Sequence, residues 1–325
     1  MAFEIPRETN AGKVTQVTLG ATSDQGGTRA LTITIGGCTA LPYHLFEGEH
    51  PNKPAVAMEV FDSVPPKYPE PLLEYYADVI DKPGEMAKKC VDEFGAELIS
   101  VRLEGTHPEK GNKSAEEAAD IVKQVLESVG VPLIVTGHSH FEKNNEVMKK
   151  VCEVTAGENC LINYVETDNY KTVAAACIAY NHTIVAQTPI DVNLAKQLNI
   201  LLADMNFPQE KIVMDPLTGT LGYGFEYTYS IMERIRNDGL AGDKMLAFPM
   251  LINPGYETFR VKESRTPEDT FPEWGNLAER GIYWETATAM SLLIAGAELL
   301  IMYHPKAVAI VKDKIAEMFD SKKGD

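Results

Sequence analysis

One pattern repeats eight times between residues 55 and 319: a short run rich in Val, Ile, Leu, Met and Ala, then a polar stretch long enough for a helix. Parallel strands covered by helices carry such near-continuous apolar runs rather than polar alternation. Eight units predict an α/β fold, the (β/α)8 TIM barrel; the alternative is an open doubly wound sheet, which usually has fewer units. The predicted strands are AVAMEVFD (55–62), LISVRL (98–103), PLIVTG (132–137), CLINYV (160–165), HTIVAQ (182–187), KIVMDP (211–216), KMLAFPML (244–251) and LLIMYH (299–304).

Two of the intervening stretches carry signals for helix ends. Ser114 with Glu117 three residues later forms a capping box, and Gly130 stands where a helix-terminating glycine is expected. Another helix is expected to begin at Pro83 and to end before Gly95.

The first 54 residues follow a different pattern. Residues 13–20 and 29–36 are alternating runs rich in Val, Thr and Ile, separated by a polar turn that contains Gly26 and Gly27. This pattern predicts a β-hairpin. We therefore expect residues 1–54 to form an N-terminal hairpin extension and residues 55–325 to form the barrel, whose usual size is ~250 residues. The hairpin either plugs the N-terminal end of the barrel or offers a docking edge.

Charge and cysteine usage narrow the classes of function. The formal net charge of −17 disfavours nucleic acid and anionic membranes as partners. Residues 1–10 lack the apolar run of a signal peptide, and the longest apolar stretch, 286–303, is interrupted by Glu298, so a cytoplasmic protein is expected. The five cysteines form no C-x-x-C pair, so we expect buried thiols rather than disulfides, zinc or an iron–sulfur cluster.

Polar and aromatic residues follow the predicted strands, where barrel enzymes build their sites. No lysine lies among these strand-end residues, which argues against Schiff-base chemistry. The pair His138 and His140 is a weak metal signal without a third ligand, so no metal is expected. The strand-end residues are Asp62, Glu104, Thr136, His138, Tyr164, Glu166, Gln187, Thr188, Asp215, Thr218, Phe248, Tyr303 and His304.

Two residues of this region have alternative interpretations. Glu59 and Arg102 lie in neighbouring predicted strands, and we expect a buried ion pair there rather than a catalytic pair. His304 precedes Pro305 and is either a ligand contact or a helix-entry residue.

Two loops after the predicted strands are candidates for binding. DPLTGTLGYGFE (215–226) places three glycines within six residues, which predicts a loop that approaches a ligand closely; a tight strand-to-helix turn is the alternative. This loop matches neither the P-loop nor the dinucleotide fingerprint, so ATP and NAD are not implied. The long polar connection over residues 253–274 predicts an interaction surface.

Several segments together resemble a known family. The VTLG…TITIGG hairpin (17–37), AVAMEVFD (55–62), MDPLTGTLGYGFEYTYS (214–230) and GIYWET (281–286) are similar to the small subunit of the corrinoid iron–sulfur protein. The resemblance extends over essentially the whole chain. Asp215-Pro216 followed by glycines is also similar to the Asp-Pro-Gly of pterin-binding methyltransferases, but a lysine closing the loop and an Asp-x-Asn on a middle strand are missing.

The resemblance implies a subunit that is not catalytic alone but belongs to a corrinoid methyl-transfer system of the anaerobic acetyl-CoA pathway. A large partner subunit would supply the corrinoid-binding module and a [4Fe–4S] cluster. The cobamide held between the two subunits would take a methyl group from methyltetrahydrofolate through a separate methyltransferase and deliver it to acetyl-CoA synthase. The barrel mouth of this chain would cover the cobamide.

Strand-end position supplies the candidate contacts with the cobamide. We expect Leu217, Leu221, Tyr223 and Phe248 to form an apolar face that excludes water from cobalt. Tyr164, Gln187, Thr188 and Thr218 would bond the corrin's amide side chains. Thr136, His138, Asp215, Gly222 and His304 complete the expected cofactor-binding set, with no catalytic residue and no protein-held metal. Two alternatives remain: a stand-alone pterin-dependent methyltransferase and a purely structural scaffold.

Overall fold

The computed structural model describes residues 6–320. Residues 1–5 and 321–325, the outer ends of the predicted extension and barrel, lie outside the described residues, as does half of the segment (1–10) examined for a signal peptide. Over residues 6–320, no helix is long and apolar enough to cross a membrane.

Eight parallel strands close into a barrel in the order β10-β3-β4-β5-β6-β7-β8-β9, which confirms the predicted TIM barrel. Helices follow the strands and pack outside, where their apolar faces cover the barrel. The strands are β3 (Ala55–Phe61), β4 (Ile99–Arg102), β5 (Leu133–Thr136), β6 (Leu161–Val165), β7 (Thr183–Gln187), β8 (Ile212–Asp215), β9 (Met250–Ile252) and β10 (Ala297–Met302). The helices are α1 (Glu70–Tyr76), α2 (Pro83–Asp92), α3 (Ala115–Ser128), α4 (Phe141–Val154), α5 (Tyr170–Tyr180), α6 (Val192–Asp204), α7 (Phe225–Leu240), α8 (Pro254–Thr258), α9 (Leu277–Ile294) and α10 (Pro305–Asp320).

The N-terminal hairpin plugs one end of the barrel. Strands β1 (Val17–Leu19) and β2 (Ile33–Ile35) pair antiparallel, although they are much shorter than predicted. Val17, Leu19 and Ile35 are fully buried and pack with the apolar residues at the N-terminal ends of the barrel strands. The hairpin therefore forms a plug rather than a docking edge. The division at residues 54 and 55 stays a prediction.

The predicted helix ends are confirmed in part. Ser114 and Glu117 form both hydrogen bonds of the capping box, and Pro83 opens α2, with Gly95 in the left-handed region after it (φ 66°). Gly130 is not among the left-handed glycines. A Cβ there would lie 3.1 Å from that of Ala30, so this glycine allows the hairpin segment to pack closely.

Strand β9 differs most from its prediction. It begins at Met250, because residues 243–246 form a turn closed by Asp243 and because Pro249 lacks a backbone N–H. Phe248 therefore precedes the strand and lies fully buried in the layer between barrel and helices. Its predicted place at the carboxyl end of a strand is wrong.

Candidate functional site

The carboxyl ends of the strands enclose a cavity of about 360 Å³. Its size lies within the range of small-ligand pockets. Seven of the predicted site residues line it together: Thr136, His138, Tyr164, Gln187, Asp215, Leu217 and Thr218. The other lining residues are Arg102, Glu104, His107, Glu109, Lys110, Gly137, Ser139, Asn163, Asn253, Tyr256, Glu257 and Arg260.

The remaining predicted residues lie elsewhere. Thr188 is buried, and its backbone N–H donates to the Asp215 carbonyl (3.0 Å). The ring of His304 is buried beside Tyr75 and Phe259, and its Nδ1 accepts from the Lys306 backbone N–H (3.2 Å). His304 is thus a helix-entry residue. Phe248 is inside the core, and residues 221–223 lie on the glycine-rich loop outside the cavity lining.

Arg102, which lines the cavity, belongs to a buried ion pair, as expected from the sequence. Arg102 Nε donates to Glu59 Oε2 at 2.7 Å. The same carboxylate accepts from the Tyr303 hydroxyl (2.6 Å) and from Ser100 Oγ (2.8 Å). Four polar groups satisfy one another here, which is the condition under which a buried ion pair is tolerated.

A polar layer continues from this pair across neighbouring strands. Arg102, Thr136 and Asn163 are register partners on β4, β5 and β6. Asn163 Nδ2 donates to Thr136 Oγ1 (3.1 Å), which lies 3.2 Å from Ser100 Oγ. Asn163 is 2% exposed, and its Oδ1 has no hydrogen-bond partner within residues 6–320. This amide oxygen is therefore a buried acceptor without a partner in the described part of the chain.

Asp215 lies at the end of β8 and is buried. Its carboxylate accepts from Gln187 Nε2 and from the Leu217 backbone N–H, each at 2.8 Å. Burial raises the pKa of Asp215 to about 6 against the effect of these two hydrogen bonds. The cavity therefore contains a carboxyl group that titrates near neutral pH.

Three histidines lie together on the other side of the cavity. The ring centroids of His107 and His138 are 5.1 Å apart, and that of His140 is 5.9 Å from His107. Burial, followed by the two neighbouring imidazoles, lowers the pKa of His138 to about 4. Among residues 6–320, no group of His, Cys, Asp and Glu has the arrangement of a metal site.

The long connection after β9 closes one wall of the cavity. The ring of Tyr256 lies between two guanidinium groups, with Arg102 4.0 Å and Arg260 4.9 Å from its centroid. Its hydroxyl donates to Glu104 Oε1 (3.1 Å). Lys110 also reaches the cavity from the loop after β4 and pairs with Glu104 (2.9 Å). No lysine lies at the strand ends, as expected, but Lys110 lines the wall of the cavity.

Sequence reasoning missed Arg102, Asn163 and His107 as lining residues. Arg102 and Asn163 share one cross-strand layer, so aligning the eight strands by their ends would have identified them. His107 comes from a loop that folds back, and the sequence carries no signal for that. Tyr256 belongs to the connection over residues 253–274, for which an interaction surface was predicted.

The glycine-rich loop is a tight turn with an apolar outer surface. Gly222 and Gly224 have φ values of 72° and 87°, and a Cβ at Gly219 would lie 2.6 Å from the Gly224 backbone. The turn itself therefore requires the glycines. Leu217 and Tyr223 are 40% and 48% exposed. We call these two exposed side chains of the predicted ligand-binding loop the rim; Leu217 also lines the cavity.

Comparison with known proteins gives the family. The chain matches the CO dehydrogenase/acetyl-CoA synthase delta subunit family over residues 16–317. The chain belongs to that family. It is 39% identical to the delta subunit of the acetyl-CoA decarbonylase/synthase complex of Archaeoglobus fulgidus, over 96% of this chain and 70% of that protein. Its identity to the corresponding subunit of Methanocaldococcus jannaschii is 34%, over 99% of this chain and 78% of that protein.

Solved structures of dihydropteroate synthases have the same fold. Dihydropteroate synthase from Coxiella burnetii has a TM-score of 0.57 and 14% identity, covering 88% of this chain and 99% of that one. The enzyme from Xanthomonas albilineans in complex with 7,8-dihydropteroate has a TM-score of 0.56 and 15% identity, covering 86% and 97%. At this level of sequence identity, the similarity shows only that this chain has the same barrel fold.

Proposed function

We propose that the chain is the small subunit of a heterodimeric corrinoid iron–sulfur methyl carrier and that its barrel mouth covers the cobamide. The observation that carries this proposal is the family match over residues 16–317, which includes every barrel strand. A delta-type subunit of the acetyl-CoA decarbonylase/synthase complex works among other subunits. The individual partners that we propose are a large corrinoid-binding subunit, a methyltetrahydrofolate:corrinoid methyltransferase and acetyl-CoA synthase.

The residues at the mouth suit a cobamide in two respects. Leu217 and Tyr223 offer exposed apolar surface on the rim, and polar side chains line the cavity beside Leu217. When bound, the cobamide supplies the cobalt nucleophile that accepts and releases the methyl group. Leu217 and Tyr223 would exclude water from its face, while Tyr164, Gln187 and Thr218 would orient its amide side chains. Thr188, Phe248 and His304 drop out of this set, because they are buried away from the cavity.

We place the [4Fe–4S] cluster in the large subunit. The five cysteines of this chain are all unpaired and buried, and they are distributed over separate elements. Burial raises the pKa of Cys38, Cys90 and Cys160 to about 12, which disfavours the thiolate that binds iron. Five free thiols also suit the reducing cytoplasm that we propose for this chain.

Cobalt content and the visible spectrum test the proposal. The chain is purified alone and together with its large subunit, and we expect cobalt and a corrinoid spectrum in the complex only. A colourless complex, together with methyltransferase turnover by this chain alone, would replace the proposal with the enzyme alternative. Equal corrinoid retention by the large subunit without this chain would support a structural scaffold.

A variant at the rim makes the test specific. Leu217 has a left-handed backbone (φ 68°) that asparagine tolerates, so Leu217→Asn removes apolar surface without straining the loop. We expect this variant complex to lose its reduced-cobalt spectrum in air several times faster than the unmodified complex, because water and oxygen reach the metal more easily. The matched control is Ile178→Asn, at an exposed aliphatic residue on α5 away from the cavity lining. Equal rates for both variants would contradict the proposed role of the rim.

A further inference from the structure

A second cleft lies beside the strand-end cavity, and the proposed function makes no use of it. Its volume is about 310 Å³, at the lower end of the range for small-ligand pockets. Glu104, Lys110, Tyr256 and Arg260 line both the cleft and the cavity, so the two are neighbours. The other lining residues come from the end of β3 and the segment after it, from the connection after β9, and from the residue that follows β10.

The walls of the cleft are aromatic rings and prolines. Five of its lining residues are Phe or Tyr, and three are prolines. The ring of Phe61 contacts those of Tyr68 and Tyr303 edge to face, with centroids 5.9 and 5.4 Å apart. Tyr68 and Tyr256 are only partly buried, so ring surface remains for a ligand. Flat apolar walls of this kind suit a planar aromatic ring, which packs against them in stacked or edge-to-face contacts.

The cleft is basic although the chain is strongly acidic. Lys67, Lys110, Arg260 and Arg265 line it, against the single carboxylate of Glu104. The whole chain has a formal net charge of −17, and the neighbouring strand-end cavity is lined by three cationic and four acidic residues. An excess of positive charge around one apolar cleft of such a chain favours a ligand that carries negative charge.

These positive charges are accessible to a ligand. The side chains of Arg260 and Lys110 are 58% and 43% exposed, Lys67 is exposed, and Arg265 is partly buried. The guanidinium of Arg260 lies 4.9 Å from the ring centroid of Tyr256, so it rests against an aromatic wall of the cleft. Lys67 and Arg265 form no ion pair with any residue between 6 and 320. Two charges therefore remain for an anionic ligand.

We propose that this cleft binds a small planar aromatic acid, whose ring packs against walls that include Tyr68 and whose acid group pairs with Lys67 and Arg265. A neutral aromatic compound would leave the two charges unpaired, and an aliphatic acid would lose the contacts with the rings. The cleft has the volume of roughly ten water molecules at ~30 Å³ each, so one or two fused rings fit and a corrin does not. These three residues do not line the strand-end cavity, so the inference stands apart from the corrinoid function.

Calorimetric titration with matched naphthalene probes tests the cleft, on the chain alone and on its complex with the large subunit. At pH 7, 2-naphthoate carries the ring and the charge, 2-naphthamide carries the ring alone, and inorganic phosphate carries charge alone. We expect naphthoate to bind at least tenfold more tightly than naphthamide and to resist displacement by an equal concentration of phosphate. 2-Naphthyl phosphate separates the two acid groups, since tighter binding than naphthoate indicates a phosphate ligand and weaker binding a carboxylate ligand.

Variants that remove charge locate the site. In Lys67→Gln/Arg265→Gln, we expect the affinity for naphthoate to fall at least tenfold and that for naphthamide to stay within twofold. The matched control is Lys82→Gln/Arg234→Gln, which removes the same charge from two exposed residues outside the cleft and should change neither affinity by more than twofold. Tyr68→Leu removes a ring but keeps an apolar side chain, so it should weaken both naphthalene probes by about threefold or more.

Three results would overturn the inference. One is the same affinity for naphthoate in the cleft variant and in the control. Another is displacement of naphthoate by an equal concentration of inorganic phosphate, because the cleft would then recognise charge without the ring. The third is naphthoate binding by the chain alone that disappears in the complex, because the large subunit rather than a small molecule would then occupy the cleft.

Cobalt content distinguishes this inference from the proposed function. A complex that retains cobalt but does not bind naphthoate refutes the aromatic-acid site alone. A complex without cobalt whose naphthoate binding depends on Lys67 and Arg265 refutes the corrinoid role and supports the aromatic-acid site.

Discussion

At the scale of single residues, Glu285 makes stability depend on pH. Its buried carboxyl accepts from the backbone N–H groups of Tyr303 (2.6 Å) and His304 (3.0 Å), yet burial dominates and raises its pKa from 4.5 to about 8. The unfolded chain ionises this group above pH 4.5, whereas the folded chain keeps it protonated until about pH 8. Ionisation therefore favours the unfolded state, and the contribution of Glu285 to the free energy of unfolding falls as pH rises from 4.5 to 8.

Glu285→Gln isolates this contribution, because glutamine does not titrate. We expect wild type to lose stability relative to the variant between pH 5 and pH 8, as measured by urea unfolding at both values. The comparison cancels the histidines with lowered pKa values, which act in the opposite direction. A difference between the two proteins that stays constant over this range would contradict the assignment.

The candidate site shows which residues can be predicted from a sequence of this kind. Thr136, Gln187 and Asp215 were identified because each stands within one residue of a strand end that apolar patterning marks clearly. Asn163 and Arg102 were missed as lining residues because the direction of a side chain depends on barrel register, which no single strand reveals. Tyr256 reaches the cavity only through the fold of its loop.

At the scale of elements, Arg29 joins the hairpin segment to α3. Its guanidinium donates to the carbonyls of Leu126, Val129 and Val131 and pairs with Glu158 at 2.9 Å. Orphan carbonyls at the C-terminus of a helix need such donors. Here a side chain from another element supplies them, and the expected helix-terminating glycine at position 130 does not.

We expect Arg29→Ala to lower the free energy of unfolding by about 3–5 kcal/mol, because it leaves a buried carboxylate and several carbonyls without partners. Lys13→Ala is the control, since the Lys13–Glu49 pair is solvent-exposed at 3.9 Å and should contribute at most ~1 kcal/mol. Both values come from denaturant unfolding. Similar losses of unfolding free energy for the two variants would show that Arg29 does not stabilise the contact between the hairpin segment and α3.

The elements also show where the prediction of the fold fails. Seven barrel strands lie within about two residues of the predicted runs, since strands of a parallel barrel are apolar on both faces. The seventh run, 244–251, begins with a turn and contains Pro249, so only its end is a strand. Composition marked the apolar residues correctly but did not separate the buried segment that precedes the strand from the strand itself.

At the scale of the whole molecule, the two ends of the barrel have different roles. The N-terminal end is closed by the hairpin, whose Leu19 is fully buried against the strand starts. The C-terminal end carries the cavity and the exposed rim of Leu217 and Tyr223. The barrel is thus closed by the hairpin at one end and carries a ligand-sized cavity at the other.

This division predicts opposite effects from substitutions at the two ends. Leu19→Ala should cost about 2–5 kcal/mol of unfolding free energy, because it opens a cavity in the plug. It should leave cobalt content and the rate of air oxidation of the folded complex unchanged. Leu217→Asn should speed oxidation while it changes stability by less than ~1 kcal/mol, since an exposed loop residue contributes little to the core. If both variants lose stability and also oxidise faster in air, the hairpin must transmit strain through the barrel to the mouth. A plug that acts only locally cannot alter a surface at the opposite end.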